Sequence, residues 1–333
     1  MDLLNALVAI LNYVVIPATA YGAQLALGAL GVTLIYGILR FSNFAHGDTM
    51  AFGTAVTIIV TWGLQAAGVS LGPLPTALLA LPFGIAITAA LMLATDRVIY
   101  RYYRKVHAAP VILVMVSVGV MFLMNGITRL LIGVDEIRFD DGARFLITAR
   151  EWRDWTGLAE PLTLRSTQAI TVVVAAVVVW ALFWFLAKTR TGKSMRAFSD
   201  NEDLALLSGI NPNRVVAVTW IIAAALATTA GVLYGLDKSF KAFNYFQLLL
   251  PVFAAAIVGG LGNPLGAIAG GFIIAFSEVG VTYAWKKVAG YLGYNADGLL
   301  QLLSTEYKFA VSFVILIIVL LFKPTGLFRG KSF

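Results

Sequence analysis

The stretch Thr171 to Ser194, TVVVAAVVVWALFWFLAKTRTGKS, admits two incompatible folds. Its tail, AKTRTGKS from Ala187, satisfies a loose phosphate-loop pattern of a small residue, four residues, then Gly-Lys-Ser, and so points to an ATPase. A phosphate loop needs a buried strand in front of it and a helix behind it whose first amides hold the phosphates. Here the front half is an unbroken apolar run with the length of a membrane-crossing helix, and the strict first glycine is missing. The stretch therefore reads as a membrane span closed by a basic stop.

Working outward, the composition agrees. The chain has 333 residues, 60% of them hydrophobic and only 12% charged, with a mean hydropathy of +0.87. That is too apolar for a soluble fold of this size. The apolar runs are about 20 residues long, enough for a helix to cross roughly 30 Å of hydrocarbon, and they lack the strict alternation of an outer-membrane barrel. The fold class is thus all-α, a polytopic helical membrane bundle of about eight or nine transmembrane segments, forming a single domain over 1–333.

The absence of cysteine excludes disulfides and thiolate chemistry, and two histidines argue against a metal site. No cofactor is expected. No Lys or Arg precedes Arg40, so a cleaved secretory leader is not expected either. The net charge of +7 records which loops stay in the cytoplasm, and nucleic acid is not a partner.

Candidate spans are 16–39, 48–68, 74–96, 110–132, 168–187, 214–236, 247–261, 264–287 and 306–322, after an apolar lead-in at 1–15; the run 247–261 is short for a crossing. Basic residues cluster at Arg97, Arg101, Arg104 and Lys105, at Lys188, Arg190, Lys193, Arg196 and Arg214, and at Lys323, Arg329 and Lys331. These regions read as cytoplasmic. In the polar segment 133–167, Asp135, Glu136, Asp140, Asp141, Glu151, Asp154 and Glu160 balance the arginines, as expected of an exported loop. Within it EIRFD and ARFLI flank Asp141-Gly142, which fits either a type I′ hairpin or a disordered loop. Counting crossings puts the N-terminus outside and the C-terminus inside.

Four places carry chemistry in otherwise greasy sequence. In FSNFAHGD, Phe41 to Asp48, Asn43 supplies a polar side chain, Gly47 permits non-helical backbone and Asp48 can cap the following span. His46 and Asp48 either face a pathway or satisfy local backbone groups. In GGLGNPLGAIAGG, Asn263 and Pro264 interrupt what would be one long helix, and Gly262, Gly266 and Gly270 recur every four residues, as on a face made for close helix approach. Glu278 falls roughly three turns into the next span; it is either functional or a buried carboxylate bonded to a neighbouring Ser, Thr or Tyr. Asn125 and Arg129, four apart near the outer end of a span, read as a polar pair with the outer loop.

The loop RAFSDNEDLALLSGINPNRVVAVTW adds a short amphipathic helix on the cytoplasmic side. Ser199 and Asp200 suit N-caps, Glu202 and Asp203 a first turn, Leu204 and Leu207 one face, and Gly209 a left-handed end. Asn211-Pro212 caps and starts the next span. Such a helix either docks on another protein or lies on the membrane surface.

Together YGILRFSNFAHGD (from Tyr36), DRVIYR (from Asp96), RAFSDNEDLALLSGINPNRV (from Arg196), AAAIVGGLGNPLGAIAGGFIIAFSE (from Ala254) and STEYKFAVSFVILIIVLLFKPTG (from Ser304) resemble the permease subunit of the branched-chain amino-acid ABC importer family. The resemblance implies a multi-pass protein of the bacterial inner membrane. Its implied partners are a second homologous permease, two cytoplasmic ATPase subunits, a periplasmic substrate-binding protein and membrane lipid. It makes 199–209 the coupling helix that enters an ATPase groove, within a cytoplasmic loop 188–213, and puts FSNFAHGD near the gate and inner mouth of the pathway. On this reading no residue is catalytic, and the solute is a leucine-like amino acid or a relative such as urea, a short amide or an aromatic acid. The segment YYRKVHAAP, bulkier than the family pattern, and the loop 133–167, without a match to it, leave partner identity open. A self-sufficient channel or ion-coupled carrier is the rival, and would need a selectivity ring or a set of intramembrane carboxylates.

Overall fold

The computed structural model describes residues 2–139, 141–294, 298 and 300–328, and along them nine helices are long and apolar enough to cross a membrane. They are α1 (Asp2–Leu39), α2 (His46–Ala66), α3 (Ala77–Lys105), α4 (Pro110–Ile132), α6 (Ser166–Lys188), α9 (Pro212–Lys238), α10 (Ala242–Gly259), α11 (Pro264–Thr282) and α13 (Thr305–Phe322). Four short helices lie in the connections: α5 (Ala149–Thr156), α7 (Arg190–Asp200), α8 (Glu202–Leu207) and α12 (Lys286–Tyr291). A two-stranded antiparallel sheet pairs β1 (Phe145–Ile147) with β2 (Leu164–Arg165).

Each expected span has its helix, and the departures have local causes. The lead-in 1–15 is not separate: a π turn at Leu11–Val15 joins it to the first span. The resulting α1 has 38 residues, about 57 Å at 1.5 Å per residue and nearly twice the hydrocarbon thickness. Its first turns therefore project from the bundle. There Asn5 Oδ1 accepts from Glu160 N at 3.2 Å and Asn12 Oδ1 from Thr163 N at 3.1 Å. The short run expected at 247–261 starts earlier, at Ala242, and reaches 18 residues. In the same way α3 outruns its expected end through a π turn at Asp96–Tyr100.

Burial sorts the helices. From Ala18 to Leu39, α1 is buried almost all round, as are much of α2, α9 and α10, so these form the centre of the bundle. The more exposed α6 and α13 sit at its periphery. Loop contacts follow the alternation of crossings. On one side the Arg40 guanidinium donates to Ser199 O. On the other, Ile137 and Phe240 exchange backbone hydrogen bonds at 2.9 and 2.7 Å.

The hairpin at Asp141-Gly142 does not form. Asp141 is instead engaged by the loop before α3. Its Oδ2 accepts from Thr76 N at 2.6 Å, and Ala143 N donates to Pro73 O at 2.8 Å. With Ile137 committed to Phe240, the strand at 145–147 pairs instead with 164–165. Asp140, and Arg329 and Lys331 of the last basic cluster, lie outside the described residues.

Candidate functional site

The break before α2 begins where α1 ends on Arg40 in the left-handed region, φ 56°, its N–H donating to Tyr36 O at 2.9 Å. A non-glycine residue there is under strain. The hydrogen bond from its side chain to Ser199 O holds it in place. Several polar groups of 41–45 are met by protein rather than lipid, as the membrane interior demands. Phe44 N donates to Ser117 Oγ at 3.1 Å, while Asn43 Oδ1 accepts from Ala45 N and from the Tyr100 hydroxyl, each at 3.2 Å.

The four candidates of this break point to four different neighbours. Asn43 joins the end of α3 through Tyr100. His46 is buried against α1, with its ring edge in the notch left by the missing side chain of Gly31. A Cβ on Gly47 would stand 2.8 Å from Tyr245 O of α10, so only glycine allows that approach. Asp48 does not cap α2; Ala45 occupies the cap position and offers no side chain. Lying in the first turn instead, Asp48 accepts from Asn125 Nδ2 at 2.7 Å through Oδ1. Asp48 Oδ2 is buried with no hydrogen-bond partner among the described residues.

Asn125 and Arg129 therefore turn toward Asp48 rather than toward the outer loop. With Met121, Phe122, Phe243 and Phe246 these three residues line a cavity of about 170 Å³ between α2, α4 and α10. A bundle face carrying a carboxylate, an amide and a guanidinium is costly against lipid, so it suits a face turned to protein or water.

At the second break Gly262 lies in the turn, φ 86°, with open space where a side chain would go, so it is not part of the expected glycine face. Asn263 caps α11, accepting from Gly266 N at 3.1 Å, and Pro264 is the first helical residue. Gly266 and Gly270 carry the contact alone: a Cβ on either would overlap α10 backbone, at Gly259 O and Ala255 O respectively. Glu278, fully buried in the fourth turn of α11, accepts from the Ser312 hydroxyl and lies 3.9 Å from Lys308 Nζ. Lys308 also sits over the Tyr21 ring at 4.1 Å. Glu278 thus ties α11 to α13 beside α1, and does not line the Asp48 cavity.

The segment between α6 and α9 is built helix upon helix. Thr189 caps α7, its Oγ1 accepting from Gly192 N at 3.0 Å, one residue beyond the end of α6. The Gly-Lys-Ser of the apparent phosphate loop lies inside α7 behind another helix, without the strand such a loop requires. Ser199 and Asp200 end α7 rather than cap the next helix; Asn201 is the cap, accepting from Leu204 N at 3.0 Å. Ser199 is buried and its hydroxyl donates to Gly37 O at 3.1 Å. In α8 Ala205 faces inward, leaving Leu204 61% and Leu207 86% exposed beside Glu202 and Asp203, and Gly209 ends the turn left-handed.

One cluster was not singled out from sequence. Asp96 accepts from Trp220 Nε1 at 2.7 Å and is held by both Arg104 nitrogens, at 2.5 and 3.0 Å. Tyr100 stacks on Trp220 with ring centres 5.2 Å apart. The available signal was an aspartate and a tyrosine one turn apart in DRVIYR, but Trp220 stands far off in the chain.

The family model described as branched-chain amino acid transport system / permease component matches residues 15–320. The chain is 31% identical over 309 residues to the high-affinity branched-chain amino acid transport system permease protein LivH of Escherichia coli (strain K12), covering 92% of this chain and 91% of that protein. It is 29% identical over 311 residues to the corresponding permease protein BraD of Pseudomonas aeruginosa, covering 92% of each. With the ribose import permease protein RbsC of Escherichia coli (strain K12) it shares 24% over 276 residues, 80% of this chain and 76% of that protein.

Proposed function

The chain belongs to the family of branched-chain amino acid transport permease components, and from that premise we propose that it is one membrane half of an ATP-driven importer. It moves a branched-chain amino acid or a related small polar solute along a seam shared with a second permease. Two ATPase subunits on the cytoplasmic side drive it, a binding protein outside delivers the solute, and the N-terminus lies outside. None of its own residues performs chemistry.

The observation that carries this reading is the bare ridge of Leu204 and Leu207 on α8. An apolar ridge one helical turn long with an acidic margin suits a groove on another protein. It is also wired to the break before α2. Ser199, just upstream of α8, bonds Gly37 through its hydroxyl and Arg40 through its carbonyl, so a push on the ridge reaches the end of α1 and the strained turn that leads to Asn43 and Asp48. A carrier running on its own would need a relay of carboxylates. Asp48, Asp96 and Glu278 are instead each engaged by a different helix.

Burying two leucines contributes about 3–6 kcal/mol, roughly two to four orders of magnitude in affinity. The variant Leu204→Asp with Leu207→Asp is expected to fold in the membrane yet lose co-purifying ATPase subunits and solute uptake. Lys193→Ala, fatal to a true phosphate loop, should leave ATP hydrolysis by the assembled complex intact. Normal uptake by the double variant would sink the docking role, and loss of nucleotide binding in Lys193→Ala would restore the phosphate-loop reading.

A further inference from the structure

The cavity at Asp48 holds groups of both signs at one apolar pocket. At its floor the buried Asp48 has Oδ1 tied to Asn125 and Oδ2 unpartnered among the described residues. On the same face of α4, one turn past Asn125, Arg129 is exposed and lines the same space. The remaining lining is Met121, Phe122, Phe243 and Phe246, three of them aromatic rings left part-exposed.

We propose that this cavity is a stopping place in the permease for a zwitterionic α-amino acid with an apolar side chain. Asp48 Oδ2 receives the ammonium group, the Arg129 guanidinium takes the carboxylate, and the Phe and Met side chains cover the aliphatic part. The proposal rests on the reading of the chain as an amino-acid permease and names a site within it. Three physical points support it. A buried carboxylate oxygen without a donor is costly, and a bound ammonium removes that cost only while solute is present. A guanidinium matches a carboxylate in a planar two-bond fork that a lysine cannot reproduce. The Asn125 amide holds the Asp48 carboxylate in one rotamer before the solute arrives. A cavity of about 170 Å³ leaves room for a small solute. On the wall of a pathway a weak site lets solute pass on.

The test uses the assembled transporter, held in lipid nanodiscs without its binding protein, and equilibrium binding of radiolabelled L-leucine. Wild type should bind saturably. Unlabelled leucine should compete, whereas 4-methylpentanoate, which lacks the amino group, and 3-methylbutylamine, which lacks the carboxylate, should compete at least tenfold less well. Asp48→Asn and Arg129→Gln should each weaken leucine binding at least tenfold while the complex keeps its melting temperature, and Arg129→Lys should recover only part of the loss. Because Arg129 is exposed, its variant keeps the test informative if Asp48→Asn does not fold. Wild-type binding in Arg129→Gln, equal competition by the two half-molecules, or no saturable binding in wild type would overturn the site. Leucine import into vesicles with the binding protein present is read separately. Import that both variants retain removes the site and leaves the importer reading. Asp48-dependent binding without import keeps the site and removes that reading.

Discussion

Trp220 donates its indole N–H to Asp96 Oδ1 at 2.7 Å, joining the third turn of α9 to the π turn of α3. The same carboxylate neutralises Arg104, and the Trp220 ring stacks on Tyr100, whose hydroxyl reaches Asn43 in the break before α2. Removing the indole donor leaves other partners on Asp96, so Trp220→Phe should cost about 1–3 kcal/mol. Asp96→Ala strands a partly buried guanidinium as well and should cost about 3–5 kcal/mol. Thermal unfolding of the purified protein in detergent checks the order. Equal melting points for both variants would mean the network is not a unit.

On α11, two glycines predict opposite outcomes for the same substitution. A Cβ on Gly270 would overlap Ala255 O, whereas one on Gly280 meets nothing within 4 Å. Gly270→Ala should lose about 1–3 kcal/mol through overpacking against backbone that cannot yield, and Gly266→Leu should separate α10 from α11 and reduce uptake. Gly280→Ala should be neutral, or stabilising by up to about 1 kcal/mol from helix propensity. Melting curves for the three variants read this directly, and a stable, fully active Gly266→Leu would contradict the packing.

The orientation is open to labelling. Ser166 and Ser199 are buried and make poor reporters, whereas Arg150 and Ser208 are exposed on opposite sets of loops. A cysteine at Arg150 should react with an impermeant maleimide in intact cells, and one at Ser208 only after lysis. The reverse pattern would invert the topology proposed from the basic clusters.

Outside the bundle, Lys287 Nζ lies 2.6 Å from the buried Glu160 Oε1, and the Tyr291 hydroxyl donates to Oε2 at 2.8 Å. Burial lowers the Lys287 pKa, but the bond and charge of Glu160 outweigh it and hold the pKa above its ordinary value. A raised lysine pKa stabilises the folded form fully below the unfolded value of about 10.4 and loses that contribution as pH rises through the folded value. Lys287 is half exposed, so the gain is small. The hydrogen-exchange protection factors of α12 and of the first turns of α1, corrected for the intrinsic base-catalysed rate, should hold to about pH 10 and fall above it. In Lys287→Met the protection at neutral pH should fall modestly. Unchanged protection in that variant would show that the Lys287–Glu160 pair does not anchor α1.

Sequence by itself determined the spans, because membrane crossing depends on length and hydropathy summed along one segment, and each of the nine runs became a helix. It also determined the starts of α9 and α11, where Asn211-Pro212 and Asn263-Pro264 cap their own backbone within four residues. What it could not determine was the destination of polar groups whose partners stand far along the chain. Asp48 looked like a cap and instead meets Asn125 of α4. Asp141-Gly142 looked like a hairpin and is held by the loop at 73–76. Ser199 looked like a cap and is drawn to Gly37, leaving that place to Asn201. In each case a local hydrogen bond and a distant one compete on similar terms, about 1 kcal/mol net. The winner is set by which helices are packed alongside, and that is decided only when the bundle assembles.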